Sequence, residues 1–277
     1  MTNDNQNIPA PDAAQAVAEK NSLQAAARRS RRSFLITGVL SLAGIGGWAW
    51  LVNRPEEDGM PAPLRRVQEG NAKLTEAYYK NTRLAPEFAR SRARALRLNG
   101  DAGLSDDFDP AAWQLRVKGP GPAVRTQSFS LDEIKALPRI EITTELKCIE
   151  GWSVIVTWAG TRLADFLARY PLATRSGRPI ADANHPDADV ARYVSLLTPN
   201  EEYYVGLDIE SALHPQTLLC YELNGQPLTP EHGAPLRLVA PLKYGVKHIK
   251  RIGSIAFTDE RPADYWADRG YDWYGGH

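Results

Sequence analysis

The stretch Ile140-Glu-Ile-Thr-Thr-Glu-Leu-Lys-Cys148-Ile-Glu150-Gly-Trp152-Ser decides the fold of this chain. Up to Cys148 it alternates apolar or small side chains with polar or charged ones, which is the period of a half-buried β-strand. The pattern predicts that the thiol of Cys148 lies at the inward-facing end of this strand, just before Gly151 ends the ladder. A thiol held by a sheet can face a cavity, so this position suits a metal ligand.

The composition is that of an ordinary globular protein, with 277 residues, 43% hydrophobic and 24% charged. The formal net charge is zero, so no overall signal points to nucleic acid or an acidic partner. Two cysteines cannot form a disulfide framework, and no CxxC or HExxH spacing predicts a zinc site. A single disulfide between Cys148 and Cys220 is the structural alternative for these residues in an exported protein.

The N-terminal part predicts a disordered cytoplasmic tail over residues 1–30 and a signal anchor over residues 31–53. Phe34–Val52 carries no charge and is long enough to span a hydrocarbon core. Four preceding arginines place the tail in the cytoplasm and the bulk of the chain outside it. Ser30-Arg-Arg-Ser-Phe-Leu35 resembles a twin-arginine export signal, and an ordinary signal anchor is the alternative. No small-x-small cleavage site follows, which predicts an uncleaved anchor.

The remaining chain predicts a linker with an amphipathic helix over residues 54–95 and a folded domain over residues 96–277. Leu64, Val67, Leu74 and Tyr78 have the heptad-like spacing of that helix. Short strands mixed with short helices indicate an α+β domain rather than a doubly wound sheet. The expected strands are 113–117, 140–148, 154–156, 193–198, 217–223, 226–228, 236–239 and 252–257, and the expected helices are 130–137, 162–169 and 208–213.

A second feature is a basic stretch, His232–Thr258, which contains no Asp or Glu. Several positive side chains beside strands suit a dianionic phosphate group held inside a fold. The alternative is a solvated basic face that binds a partner or lipid head groups. The positive residues are Arg237, Lys243, Lys247, Lys250 and Arg251.

Four ordered blocks carry a resemblance to a known family. They are Cys148-Ile-Glu-Gly-Trp-Ser, Gly206-Leu-Asp-Ile-Glu-Ser-Ala-Leu-His-Pro215, His232-Gly-Ala-Pro-Leu-Arg-Leu-Val239 and Lys243-Tyr-Gly-Val-Lys-His-Ile-Lys250. Together they closely resemble the molybdopterin-binding domain of the sulfite oxidase superfamily, and within it the bacterial periplasmic protein-methionine-sulfoxide reductases. The match covers roughly residues 96–274. It implies an α+β fold with a mixed, barrel-like sheet, preceded here by one transmembrane helix.

The resemblance implies a molybdenum cofactor, with a mononuclear metal held by the pterin dithiolene and by the thiolate of Cys148. A soft thiolate suits molybdenum, and nearby positive charge favours the deprotonation that ligation requires. Glu150, two residues past the ligand, is the candidate for proton handling, and a structural carboxylate is the alternative. The implied pterin contacts are Asn81, Thr198, His232, Arg237, His248, Ile249 and Lys250.

The departures from the superfamily bear on the substrate. True sulfite oxidases follow the ligand cysteine with Gly-Asn-Arg-Arg, which supplies cations for an anionic substrate, whereas this chain has Glu150-Gly-Trp-Ser. We therefore expect reduction of an S-oxide or N-oxide, with electrons from a membrane haem b protein and the domain on the periplasmic side of the inner membrane. One alternative is a sulfite-type oxidase that donates to a cytochrome c. Another is a cofactor-free binding module of the same fold.

Overall fold

The computed structural model describes residues 13–57, 60–78, 83–105, 108–121 and 125–277. The chain divides into two compact units, one ending at Pro55 and one comprising Glu56–His277. The candidate functional site lies in the second unit.

The first unit is dominated by one long helix, α1, at Ala13–Val52. Its part Ala27–Val52 is apolar and, by length and composition, long enough to cross a membrane. Residues 13–30 are helical, although the sequence predicted a disordered tail there. The reason is the alanine-rich composition of this part, because alanine has the highest intrinsic helix propensity.

Within its described residues, the second unit has two five-stranded sheets and a minor two-stranded pair. The first sheet has the order β10-β9-β6-β5, with β11 also pairing with β9. The second has the order β4-β3-β12-β7-β8, in which only the β12–β3 pairing is parallel. The strands are β1 Glu56–Glu57, β2 Met60–Pro61, β3 Leu115–Lys118, β4 Thr126–Phe129, β5 Arg139–Lys147, β6 Ser153–Arg162, β7 Tyr193–Leu197, β8 Tyr204–Asp208, β9 Leu218–Leu223, β10 Gln226–Pro227, β11 Arg237–Val239 and β12 Ser254–Thr258.

Short helices connect these strands: α2 Ala62–Tyr78, α3 Leu131–Lys135, α4 Leu163–Arg169 and α5 Ile209–Leu213. Helix α3 begins with the predicted capping box, in which the Ser130 hydroxyl and the Glu133 carboxylate each bond the other residue's backbone N–H. The α+β class is confirmed. The barrel-like closure is not found among the described strands, because both large sheets are open.

The main core draws on both large sheets and on α4. Leu219 and Leu238 from the first sheet, Leu196 and Ile255 from the second, and Phe166 from α4 are fully buried in one apolar cluster. A second cluster covers the other face of the first sheet, where Leu146 of β5 and Trp158 of β6 pack together. This second cluster extends to the turn between β5 and β6, where Trp152 packs against it.

Sequence periodicity found most strands but missed the two-residue strands β1 and β2, which are too short to show a period, and the longer strands β4 and β8. β4 has three exposed residues out of four, so it lacks an apolar alternation. β8 is buried at its three central positions, which removes the polar half of the pattern. Each is an edge strand of the second sheet, and its pairing comes from a neighbouring strand rather than from its own sequence.

Candidate functional site

A cavity of about 180 Å³ lies beside the turn that joins β5 to β6. Four parts of the chain form its wall: a segment before β3, the β5–β6 turn, the basic stretch, and a group of aromatic residues. The lining residues are Leu96, Arg97, Asn99, Gly100 and Ala102; Leu146, Ile149, Glu150 and Trp152; Arg237, Gly245, Val246, His248 and Lys250; and Tyr203, Trp266 and Tyr271. The site is therefore assembled by tertiary structure from distant segments.

Cys148 is the first residue of the β5–β6 turn and is 8% exposed. Its N–H donates to the Trp152 carbonyl (2.9 Å), and the Gly151 N–H donates to the Cys148 carbonyl (3.1 Å). Gly151 has φ +86°, which a side chain would disfavour. The Asn99 amide nitrogen lies 3.9 Å from the Cys148 Sγ. Cys148 and Cys220 are both free thiols, so the disulfide alternative is wrong.

The electrostatic environment of Cys148 differs from the sequence interpretation. Burial raises the pKa of the thiol above its ordinary value, and the positive charge of Arg97 opposes this effect only partly. Nearby positive charge was expected to lower the pKa of this thiol. The pKa is raised instead, because the cost of desolvating the thiolate outweighs its attraction to the exposed Arg97 guanidinium. A soft metal ion at Sγ would replace the proton and supply the stabilisation of the thiolate that the pocket alone lacks.

Beside this thiol, a carboxylate and a guanidinium contact one aromatic ring. The Trp152 indole N–H donates to Glu150 Oε2 at 3.0 Å. The Arg97 guanidinium carbon lies 5.5 Å from the centroid of the Trp152 ring. Glu150 is exposed, so it can exchange protons with solvent while lining the cavity. This group can bind a polar substrate and handle protons.

Arg237 and Lys250 are the two positive residues of the basic stretch that line the cavity. Arg237 is 3% exposed, and its guanidinium donates to the carbonyls of His232 and His248, both at 3.1 Å. Lys250 Nζ donates to the carbonyls of Asn99 (2.9 Å) and Gly100 (2.8 Å). Burial lowers the pKa of Arg237 to about 10 and that of Lys250 to about 8. Among the described residues, no carboxylate forms an ion pair with either side chain, so both remain available to an anion.

Two other lysines of the basic stretch point into the core. Lys247 is fully buried, and its Nζ lies 2.6 Å from Asp264 Oδ2. Lys243 is 2% exposed and lies 3.5 Å from Asp208 Oδ2. The prediction that all five positive residues serve a phosphate is therefore wrong for these two. The solvated-face alternative is also wrong, because four of the five are buried and Lys250 is half-buried.

Four buried polar atoms at this site have no hydrogen-bond partner in the described part of the chain. They are Trp158 Nε1, His232 Nδ1, Arg237 Nε and His248 Nδ1. The residues are neighbours: the Arg237 guanidinium lies 4.9 Å from the Trp158 ring centroid, and the Trp158 and His248 rings are 6.5 Å apart. Buried polar groups without partners are costly, so their clustering indicates a polar ligand. With a nearby thiol and two cations, these residues fit a molybdenum ion carried on an anionic pterin.

The remaining predicted contacts are placed differently. The Thr198 hydroxyl is engaged by its own loop, where it donates to Asn200 Oδ1 (2.8 Å) and accepts from the Tyr203 N–H (3.1 Å). Ile249 lies in the core, and its carbonyl accepts from the Leu238 N–H. Neither residue lines the cavity described above. Asn81 lies outside the described residues.

Sequence reasoning missed two groups of cavity residues. Arg97 and Asn99 lie in a segment without regular periodicity, so no local pattern distinguishes them from surface residues. Tyr203, Trp266 and Tyr271 form the aromatic wall. The density of aromatic residues after residue 264 was a usable signal, because such side chains often line ligand pockets.

Acid sensitivity of the cofactor-free protein should depend on His248. Burial, reinforced by Arg237, lowers the pKa of His248 to about 3, whereas an unfolded histidine titrates near 6.5. Between these values the unfolded chain binds more protons. The free energy of unfolding should therefore fall as the pH falls below about 6.5, by up to roughly 1.4 kcal/mol per pH unit from this group.

Denaturant unfolding between about pH 7 and pH 5 measures this effect. His248→Gln, which can keep a donor toward the Ala240 carbonyl, should flatten the profile. His185→Gln is the matched control, because the His185 side chain is 86% exposed. Equal slopes for wild type and His248→Gln would contradict the assignment.

Comparisons with known proteins agree with this geometry. A family model described as oxidoreductase molybdopterin binding domain matches residues 102–266. The protein-methionine-sulfoxide reductase catalytic subunit MsrP of Xanthomonas campestris pv. campestris is 34% identical over 90% of this chain and 74% of its own length. The putative protein-methionine-sulfoxide reductase subunit YedZ1 of Azospira oryzae is 30% identical over 89% of this chain and 88% of its own length.

Among solved structures, the sulfane dehydrogenase SoxCD of Paracoccus pantotrophus overlaps with 56% of this chain and 40% of its own chain. The TM-score is 0.44 and the identity is 16%. An overlap this limited carries no functional argument.

Proposed function

Because the chain belongs to the oxidoreductase molybdopterin-binding domain family, we propose that it reduces an S-oxide or N-oxide by two-electron oxygen-atom transfer. Membership makes it a molybdopterin-dependent oxidoreductase. One observation carries the choice of reaction: the Glu150 carboxylate and the Arg97 guanidinium line one cavity beside the Cys148 thiol, whose sulfur lies 3.9 Å from the amide nitrogen of the cavity-lining Asn99. In addition, two relatives that span most of this chain are named for methionine-sulfoxide reduction.

The cofactor would be held by residues at the inner end of the cavity. Cys148 would supply the thiolate ligand to molybdenum, and Arg237 and Lys250 would neutralise the pterin phosphate. His232 and His248 would hydrogen-bond the pterin through their unpartnered ring nitrogens. Further pterin contacts by Thr198, Ile249 and Asn81 are proposed on the family resemblance alone. When bound, this group supplies the two-electron redox couple and the acceptor for the transferred oxygen atom.

In the proposed reaction the S–O bond breaks and the sulfur gains two electrons. The oxygen leaves as water after taking up two protons. Glu150 would relay these protons from solvent, because its carboxylate is exposed and also lines the cavity. The Trp152 N–H bond orients that carboxylate. Arg97 would orient the strongly dipolar S–O or N–O bond.

The charges at the cavity disfavour sulfite as the substrate. An anion would meet Glu150 beside Cys148, where like-charge repulsion opposes binding. Arg97 balances that carboxylate, and the pterin phosphate would neutralise Arg237 and Lys250, so the cavity of the loaded enzyme would present no excess of positive charge to the substrate. A neutral, dipolar oxide avoids this repulsion, and the rings of Tyr203, Trp266 and Tyr271 can pack against its apolar substituents.

The electron donor is proposed to be a membrane haem b protein, since this chain has no CxxCH haem motif or iron–sulfur cysteine set of its own. A cytochrome c is the alternative redox partner. The apolar helix Ala27–Val52 would anchor the chain in the inner membrane, with the catalytic domain in the periplasm. Export by the twin-arginine route suits a protein that receives its cofactor before crossing.

Each segment of the chain has its own role in this proposal. Residues 1–30 would lie in the cytoplasm, and residues 31–53 would form the anchor. Residues 54–95 would connect the anchor to the domain. Residues 96–277 would bind the cofactor and carry the reaction.

Turnover of purified full-length protein from a host that makes molybdopterin tests the proposal. We expect oxidation of a reduced dye with methionine sulfoxide, dimethyl sulfoxide or trimethylamine N-oxide, and little reduction of ferricyanide with sulfite. The reason is the balanced charge of Arg97 and Glu150 at the cavity. Sulfite oxidation faster than oxide reduction would favour the sulfite-type alternative. Protein that folds normally but contains no molybdenum or pterin would favour the binding module.

A further inference from the structure

Helix α2 presents an apolar stripe to solvent rather than to the domain. Leu64, Val67, Leu74 and Tyr78 are 42%, 60%, 71% and 66% exposed. At 100° per residue these positions, with Asn71 between them, share one face of the helix. The amphipathic helix expected over this part of the chain is present, but its apolar face is not the face that packs.

The opposite side of α2 holds the helix on the domain. Arg65 is 6% exposed, and its Nη1 donates to the Tyr271 carbonyl at 3.2 Å. Ala72 packs against the buried cluster that contains Trp273 and Tyr274. These contacts fix the rotation of α2, so the apolar stripe is held outward as a consequence of the fold.

Charge is also distributed unevenly around this helix. Both acidic residues of α2, Glu69 and Glu76, line a groove on the domain side together with Arg65. The outward stripe contains no charged residue. Four large apolar side chains without an acidic neighbour on their face form the kind of surface that enters a lipid interface. Tyr78 adds an aromatic ring with a polar tip, which suits the headgroup region.

The short link between the apolar helix and α2 indicates that lipid covers the apolar stripe of α2. Only nine residues, 53–61, separate the end of the apolar helix at Val52 from the start of α2 at Ala62. The ten Cα–Cα steps from Val52 to Ala62, at about 3.5 Å each, limit the distance between these two Cα atoms to roughly 35 Å. If α1 is the membrane anchor proposed above, α2 begins within one bilayer thickness of the surface.

We propose that α2 is an interfacial helix whose stripe of Leu64, Val67, Leu74 and Tyr78 inserts into the lipid surface beside the anchor. Docking would fix the rotation of the catalytic domain against the bilayer. Because Arg65 bonds the carbonyl of Tyr271, a cavity-lining residue, the docked helix would also support the cavity wall. The cavity would then keep a constant orientation toward a membrane electron donor.

The proposal is tested with environment-sensitive labels on single introduced cysteines in full-length protein. The protein is reconstituted at one chain per nanodisc of phosphatidylcholine and phosphatidylglycerol. The sites are Leu74→Cys on the stripe, Arg66→Cys on an exposed side of the same helix, and Ser41→Cys within the apolar helix. Wild type corrects for background labelling of Cys148 and Cys220, which are buried. Unfolding temperatures of the unlabelled variants confirm that each folds.

We expect the label at residue 74 to be quenched several-fold more strongly by lipids brominated near the headgroup than the label at residue 66. Both positions share the same tether, so proximity to the anchor alone cannot produce this difference. Equal, water-like emission at both positions, with residue 41 inserted, would overturn the proposal. Shielding of residue 74 only in native membranes would overturn it in favour of a protein partner. A water-exposed label at residue 41 would instead refute the anchor itself.

Discussion

Replacement of Cys148 by serine is expected to abolish oxide reduction, lowering kcat by at least about 10³-fold. A serine hydroxyl remains protonated near neutral pH and is a harder ligand than a thiolate, so it does not suit molybdenum. The side chain is 8% exposed, and its sulfur interacts with the Asn99 amide and with the backbone N–H groups of Glu150 and Ile149, to which a serine oxygen can also bond. The substitution should therefore leave the fold intact.

Molybdenum and pterin content, the molybdenum spectrum and turnover are measured together for this variant. Near-stoichiometric pterin with an altered spectrum would identify Cys148 as the protein ligand. Cys220→Ser is the matched control, because Cys220 is fully buried and its thiol donates to the Glu222 carbonyl, which a serine hydroxyl can also do. Wild-type turnover in Cys148→Ser would refute the ligand assignment, and lost turnover in Cys220→Ser would point to a general effect of core polarity.

The largest stability effect is expected from Asp264→Asn, which should lower the free energy of unfolding by about 3–5 kcal/mol at neutral pH. The Lys247 and Asp264 side chains are 1% and 3% exposed, and their charged atoms lie 2.6 Å apart. Asparagine has the same shape but leaves the Lys247 ammonium buried without its counter-charge. Burial of an unpaired charge costs more than the pair contributes.

Denaturant unfolding measures this loss, and two variants provide controls. Lys247→Met combined with Asp264→Asn should recover much of the stability, because no charge is then buried. Glu222→Gln breaks the exposed ion pair with Arg139 and should cost less than about 1 kcal/mol. A similar loss for Glu222→Gln and Asp264→Asn would contradict the argument from burial.

The loss in Asp264→Asn should also depend on pH with a defined sign. Burial lowers the pKa of Lys247 in the folded protein, whereas the unfolded lysine keeps its usual value near 10.4. Between the lowered pKa of the folded protein and the unfolded value near 10.4, the unfolded chain binds more protons than the folded one. The free energy of unfolding therefore rises with pH in this range. The penalty should therefore shrink as the pH is raised.

The local features of this fold could be predicted because neighbouring residues encode them. The alternation of Ile142, Thr144 and Leu146 placed the side chain of Cys148 inward, and the structure has it buried at the strand end. The capping box at Ser130 and the apolar run after Phe34 depend on spacing within one helix. The family resemblance added the cofactor, because its blocks are contiguous in the chain.

The partners of individual charges could not be predicted in this way. Lys247 and Lys250 are three residues apart in the same basic stretch, yet one pairs with Asp264 in the core and the other lines the cavity. Their directions depend on elements that arrive from elsewhere in the chain. Similarly, the heptad-like spacing of α2 predicted a helix but not which of its faces the domain would cover.

The sequence by itself determined the strand that carries Cys148, the apolar N-terminal helix, the α+β class and the enzyme family. Only the tertiary structure decided that Arg97, Glu150 and the aromatic wall share one cavity and that two lysines are neutralised in the core. The physical reason is the range of the interactions. Periodicity and capping act within a few residues, whereas burial, ion pairing and cavity formation depend on segments that meet only after the sheets have assembled.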